Sequence, residues 1–258
     1  MSAEKIASHF DLHGKVVLVT GGSRGLGLQM CQAFAQAGAD LVISSRKQVA
    51  CDEAAARITA NTGRQCLAHA CHVGDWDACD ALVEAAYAHF GRVDVLVNNA
   101  GMSPLYDSLS DVSRALFDKV LAVNLAGPFR LSAVIGERMV AAGGGVIINV
   151  SSVASLAPSA MEIPYAAAKA GVNNLTQGLA RALAPQVRVN CILPGAFLTD
   201  IAAAWSDEVK ESVAGIVPLG RVGAPAEIIG TALYLASDAS SYTTGAIVKV
   251  DGGMVYGG

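Results

Sequence analysis

The sequence predicts an α/β fold: a doubly wound, parallel, seven-stranded sheet in a single domain. Three observations lead there. Short β-branched runs alternate with longer Ala-rich stretches along the chain, and strands in strict alternation with helices build a parallel sheet covered on both faces. The runs are apolar almost without a break, as strands buried on both faces must be. No stretch rich in Pro, Ser or charge divides the 258 residues, and α/β chains of this length often form one unit.

The elements follow in order. Residues 15–20 (KVVLVT) form a buried strand, and glycines lead into a helix ending near Ala37. Residues 39–45 (ADLVISS) form a second strand, with a helix through about Asn61. Residues 65–71 are a weaker third strand, and an aspartate opens the helix at 75–90. Residues 93–98 (VDVLVN) are the fourth strand, and 111 to about 142 is mostly helix. Residues 146–151 (VIINVS) are the fifth. Pro164 opens a helix to about Leu183, since proline suits a first helical turn. Residues 187–193 make the sixth strand, Pro225 opens a helix to about Ala236, and 246–250 closes the sheet. In such a sheet ligands bind at the carboxyl ends of the strands.

Composition narrows the function. Lys+Arg number 18 and Asp+Glu 22, a net charge of −4. That balance excludes a nucleic-acid binder working by bulk charge, and 53% hydrophobic residues exclude disorder. The longest run of apolar residues and glycine, 139–148, is far short of the ~20 residues of a membrane span. The N-terminus lacks the apolar core of a signal peptide, so the expectation is a cytoplasmic protein with no membrane partner. The six cysteines lack CxxC pairing and the five histidines lack metal spacing, so no metal is expected. With only 16% charged residues, apolar surface is expected to end in a subunit interface.

After the first strand comes Thr20-Gly21-Gly22-Ser23-Arg24-Gly25-Leu26-Gly27. A helix opening on glycines offers free backbone N–H groups, a positive dipole end and close approach for a pyrophosphate. Gly21, Ser23, Arg24, Gly25, Leu26 and Gly27 are therefore candidate cofactor contacts, against the alternative of an ordinary strand–helix turn. NAD selection commonly uses an acid about 20 residues on. Here the second strand ends in Ser44-Ser45-Arg46-Lys47, with no acid. Ser45, Arg46 and Arg24 suit a 2′-phosphate, because arginine grips phosphate in a fork. NADP(H) is the expected cofactor, with NAD(H) the lesser option.

Tyr165 and Lys169 are four apart on one helix and so share a face. A nearby ammonium favours the phenolate, which brings a tyrosine toward acid–base work near neutrality. Ser152 stands 13 residues upstream, just past the fifth strand, where its hydroxyl can meet a substrate oxygen beside the tyrosine. Asn98-Asn99-Ala100-Gly101 ends the fourth strand at the same edge. Asn124 sits inside a helix despite its poor propensity.

With these motifs in order, the chain resembles the short-chain dehydrogenase/reductase family, of the compact single-domain Rossmann kind, from about Leu12 to Gly253. The resemblance implies a TGxxxGxG cofactor turn at Gly21, Gly25 and Gly27, with Asn99, Ala100 and Gly101 bordering the cofactor. It implies a catalytic tetrad of Asn124, Ser152, Tyr165 and Lys169. Tyr165 exchanges the proton, Ser152 polarises the carbonyl, Lys169 binds the nicotinamide ribose, and Asn124 holds a relay water. Pro194, Gly195, Phe197 and Thr199 fall in the segment expected at the nicotinamide. His72-Val73 departs from the family's Asp-Val, and a bland replacement at the adenine is expected there. The family further implies a homotetramer or homodimer, pairing the helices at 111–142 and 164–184 and the last strand.

The expected substrate walls are Met102 to Leu105, 153–163 and a mobile loop at 196–217, carrying Leu156, Met161, Phe197, Leu198, Ile201 and Trp205. No arginine faces the site, so a neutral, largely apolar ketone or secondary alcohol is the expected small-molecule substrate. A 3-ketoacyl-acyl carrier protein reductase is the specific alternative, since Phe129-Arg130-Leu131 resembles its carrier-facing helix. The short turn at Ala184 to Val187 lacks the basic residue typical of that enzyme. A non-catalytic NADP-sensing protein is the remote alternative, disfavoured by the intact tetrad.

Overall fold

The structure, a computed structural model, describes residues 6–199 and 206–255. Seven parallel strands run in the order β3-β2-β1-β4-β5-β6-β7: β1 Val16–Thr20, β2 Asp40–Ser45, β3 Cys66–Ala70, β4 Val95–Asn98, β5 Gly145–Val150, β6 Val187–Pro194 and β7 Ile247–Val250. The helices are α1 Gly25–Gln36, α2 Gln48–Thr62, α3 Trp76–Phe90, α4 Arg114–Leu121, α5 Gly127–Ala141, α6 Ile163–Ala182, α7 Asp207–Ile216 and α8 Ile229–Ala236. The expected doubly wound single-domain architecture is present. Strand order reverses direction between β1 and β4, the crevice where such sheets take ligands.

Each face of the sheet buries its own core. Met30 and Phe34 of α1, Ile58 of α2 and Leu235 of α8 cover one face. Leu82 of α3, Leu131 and Ile135 of α5 and Leu179 of α6 cover the other. The central strands β1, β4 and β5 are buried almost throughout, whereas the edge strands β3 and β7 are largely half-buried. That accounts for the weaker apolar signal of β3. A buried polar seam crosses the second face. Asn98 Nδ2 donates to Asn149 Oδ1 and Ser132 Oγ, each at 2.9 Å, and Asn149 Nδ2 donates to Thr176 Oγ1 at 2.9 Å. It ties β4, β5, α5 and α6 into one register, and buried amides need such partners.

Two elements refine the sequence reading. Helices α4 and α5 are joined by a π-helical turn, Ala122–Ala126, where the N–H of Gly127 reaches the carbonyl of Ala122. Helix α7, absent from the sequence reading, starts at Ser206, whose hydroxyl accepts from the N–H of Val209 at 3.3 Å. Asp207 and Glu208 follow in its first turn. A capping serine with acids behind it was the available signal.

The run Arg114–Ala141 is long and apolar enough to cross a membrane by length and composition, at a mean hydropathy of 1.2. The sequence reading sought an unbroken apolar run and passed over this charged one. Half of that window is buried inside the domain, and Arg130 and Arg138 pair with Asp80 and Glu84 of α3. All six cysteines are free thiols, five buried and Cys66 half-buried.

Candidate active site

The carboxyl ends of the central strands surround a cavity of about 600 Å3. Its floor is the glycine turn between β1 and α1. Gly21 and Gly25 have φ of +66° and +55°, which only glycine adopts without strain. A Cβ on Gly27 would stand 2.3 Å from the carbonyl oxygen of Gly21. The end of β4 braces this turn. Asn99 Nδ2 donates to the carbonyls of Thr20 and Gly21 at 3.0 and 3.3 Å, while Thr20 Oγ1 accepts from the N–H groups of Asn99 and Ala100. Arg24 caps α1 without a side-chain hydrogen bond, so the first-turn N–H groups have no partner inside the helix.

Of the residues expected at the cofactor, Gly21, Ser23, Arg24, Gly25, Leu26, Gly27, Ser45, Arg46, His72, Val73, Asn99, Ala100, Gly101, Tyr165, Lys169, Pro194 and Thr199 all line this one cavity. Lys47, Ala50 and Cys71 also line it and were not singled out. Arg24, Arg46 and Lys47 are exposed and, among the described residues, form no ion pair. His72 lies past the end of β3 and is exposed. Gly195 and Phe197 do not line the cavity, nor do Ser152 and Asn124 of the expected tetrad. Gly195 packs against Asp251, whose Cα would be 2.8 Å from a Cβ there. Phe197 is buried in the core and lies against Gly223, because residues 196–198 exchange backbone hydrogen bonds with Gly223. Neither is on the cavity wall.

The reactive end lies where β5 meets α6. Tyr165 is half-buried on the first turn of α6, and the Ser152 hydroxyl lies beside its phenol. Ser152 Oγ also accepts from the N–H of Ala154 at 3.2 Å. Lys169 is buried and donates from Nζ to the carbonyl of Val150 at 2.7 Å. Burial pulls its ammonium down to about 8. Burial likewise pushes the Tyr165 phenol up, opposed by the Ser152 hydrogen bond and assisted by the Glu162 carboxylate. Burial and the Glu162 carboxylate thus raise the phenol, and Val150 holds the ammonium that was expected to draw it downward.

Asn124 is fully buried in the π turn. Its Oδ1 accepts from the N–H of Met102 at 3.1 Å, and Nδ2 donates to the carbonyls of Met102 and Val120 at 2.8 and 3.0 Å. The wider π turn therefore aims an amide past the strand end, and that amide pins Met102. Asn124 Oδ1 and Lys169 Nζ flank Gly101, at 2.9 and 3.5 Å from where a Cβ would stand.

Among the expected substrate walls, Met102 and Ser103 line the cavity, and Leu105, Leu156, Met161 and Leu198 are exposed beyond it. Asp200, Ile201 and Trp205 lie outside the described residues.

This fold and site define a dinucleotide-dependent oxidoreductase. The glycine turn fits that group: its backbone packs so closely that a Cβ on Gly27 cannot fit, and its helix end and exposed cations suit a pyrophosphate and a further phosphate. Residues 21–255 match the family model described as enoyl-(acyl carrier protein) reductase. The chain is 39% identical over 245 residues to 3-oxoacyl-acyl-carrier-protein reductase of Chlamydia trachomatis serovar D, covering 94% of this chain and 98% of that one. It is 39% identical over 249 residues to galactitol 2-dehydrogenase (L-tagatose-forming) of Cereibacter sphaeroides, covering 95% and 96%. The crystal structure of NADPH-dependent 3-quinuclidinone reductase from Rhodotorula rubra superposes with a TM-score of 0.91 at 29% identity, covering 100% and 97%. The chain belongs to the short-chain dehydrogenase/reductase family and is an oxidoreductase acting on alcohol and carbonyl groups.

Proposed function

We propose that the protein is an NADP(H)-dependent reductase of neutral, largely apolar ketones, or dehydrogenase of the matching secondary alcohols, with Tyr165 as the general acid/base. The observation that carries this is that Tyr165 and buried Lys169, one helical turn apart, line the cavity floored by the glycine turn, with Ser152 beside the phenol. The glycine turn and the α1 N-terminus hold the pyrophosphate. Arg24, Ser45 and Arg46 take the 2′-phosphate, and Tyr165 with Lys169 flank the nicotinamide ribose. When bound, the nicotinamide supplies or takes up a hydride. Ser152 donates a hydrogen bond to the substrate oxygen, and Tyr165 gives its phenolic proton to that oxygen or takes one from the alcohol. Burial keeps the phenol protonated through neutral pH, so the proton is available for reduction. Buried Lys169 and Asn124, on either side of Gly101, hold the strand end to which the site is fixed.

The test is NADPH consumption over a panel of ketones. Tyr165→Phe keeps NADPH binding and loses turnover by roughly 100-fold or more, the scale of acid–base catalysis. Full residual turnover overturns the assignment.

A 3-ketoacyl-carrier substrate is the second reading, favoured by the relative of that name. Against it, Arg130 is committed. Its guanidinium makes a fork with Asp80 at 2.6 and 2.7 Å and stacks 5.1 Å from the Trp76 ring centroid. We further propose that the apolar groove lined by Trp76, Leu121, Leu125, Phe129, Gly171 and Leu175 seats a second copy of the chain, within a homodimer or homotetramer.

A further inference from the structure

Tyr165, Lys169 and Asn173 stand at i, i+4 and i+8 of α6, so they form one stripe along one face. Each meets the chain leaving β5. The Ser152 hydroxyl lies beside the Tyr165 phenol and favours its phenolate. Lys169 Nζ donates to the Val150 carbonyl, and its own carbonyl accepts from Ser151 Oγ at 3.1 Å. Asn173 Nδ2 donates to Ser155 Oγ at 2.8 Å.

Ser155 completes the chain. Its Oγ donates to the carbonyl of Ser152 at 2.6 Å, and its N–H donates to the same oxygen at 3.0 Å. A serine hydroxyl has one proton and two lone pairs. The Asn173 amide occupies a lone pair, which leaves the proton for Ser152. The Asn173 amide is itself oriented, because its Oδ1 accepts from the Cys191 thiol on β6 at 3.8 Å. Asn173 is only 9% exposed, and a buried amide without such partners would be costly in mid-helix.

We propose that Asn173 and Ser155 are a positioning pair: together they clamp the Ser152 backbone and so set the Ser152 hydroxyl on the Tyr165 phenol. Neither touches the reacting atoms. The pair acts through the Ser152–Ser155 turn, whose tilt decides whether the hydroxyl meets the phenol or solvent. The inference rests on the reading of Ser152 and Tyr165 as the reacting pair.

The test compares Ser155→Ala, Asn173→Ala, the double variant and Ser155→Thr in ketone reduction, reading kcat, KM for NADPH and the pH profile. A catalytic group misplaced by about 1 Å costs on the order of 100-fold. Each alanine variant is expected to lose about 10- to 100-fold in kcat with KM for NADPH unchanged. The pH limb belonging to Tyr165 moves upward, because the hydrogen bond that favours the phenolate weakens. The double variant falls no further than the worse single one, and Ser155→Thr, which keeps the hydroxyl, restores most of kcat. If Asn173→Ala fails to fold, Ser155→Ala, which removes one oxygen from a half-buried side chain, carries the test alone. Wild-type kcat and pH profile in Ser155→Ala, additive losses, or a matched loss of NADPH affinity overturns the proposal. Full turnover in Ser152→Ala would instead overturn the underlying assignment. An inactive Ser152→Ala beside a wild-type Ser155→Ala overturns only the positioning role.

Discussion

Lys169 Nζ donates to the carbonyl oxygen of Val150 at 2.7 Å, so the cation nearest Tyr165 is anchored to the last residue of β5. Its ammonium lies 5.7 Å from the Tyr165 ring centroid, over a ring it shares a helix face with. The same burial that positions this lysine lowers its proton affinity.

That gives stability a pH dependence of known sign. The folded chain holds the Lys169 proton less tightly than the unfolded chain, with a value of about 8 against 10.5. The penalty is complete below about 8 and is relieved as pH rises toward 10.5, because there the unfolded state binds more protons. At about 1.4 kcal/mol per pKa unit the swing is on the order of 3 kcal/mol. Thermal unfolding of wild type against Lys169→Met should show wild type gaining ground across that window. A constant Tm difference from neutral pH to 10 would remove burial of the charged form as the cause.

Cofactor preference should answer to Arg46. Arg46 lines the cavity with no carboxylate partner among the described residues, so its guanidinium is available to a phosphate. Charge-assisted hydrogen bonds contribute about 1.5–3 kcal/mol. Arg46→Asp should therefore lower kcat/KM with NADPH by roughly 10- to 100-fold and spare or improve it with NADH. Initial-rate kinetics with both cofactors measure this, and an unchanged ratio argues against a 2′-phosphate at this position.

Gly27→Ala should cripple the cradle. The added methyl would stand 2.3 Å from the Gly21 carbonyl oxygen and 2.5 Å from Asn99 Nδ2, so the turn must open. Overpacking of this kind costs about 1–3 kcal/mol. A lowered Tm together with weakened NADPH binding by fluorescence titration is the expected pair of results. Retention of both would mean that the turn yields freely.

Phe129 is exposed on α5 at the edge of the apolar groove and touches Trp76, with ring centroids 6.4 Å apart. Phe129→Glu should leave the fold intact and shift light scattering from dimer or tetramer toward monomer. An unchanged mass would place the contact between copies elsewhere.

Most of the fold was legible because strand and helix periods differ and both faces of a parallel sheet demand apolar runs. The glycine turn, Ser152, Tyr165 and Lys169 were legible because their chemistry depends on short spacings along one element. The packing of Phe197 and Gly195 was not legible, for the opposite reason. The segment 196–198 is set by its bridge to Gly223, more than 20 positions away, and spacing carries no trace of that pairing. Helix α7 was legible in principle from its serine cap, but it falls inside the stretch 196–217 expected as a loop.

The sequence by itself determined the order of elements, the glycine cradle and the residue types at the reactive end, all properties of local pattern. Only the tertiary structure decided where protons sit and what holds the reactive groups. Burial of Lys169 and Tyr165, the π turn that aims Asn124, and the Asn173–Ser155–Ser152 chain each depend on which distant surfaces close over them. Desolvation and hydrogen-bond geometry are set by packing in three dimensions, and no spacing along the chain encodes them.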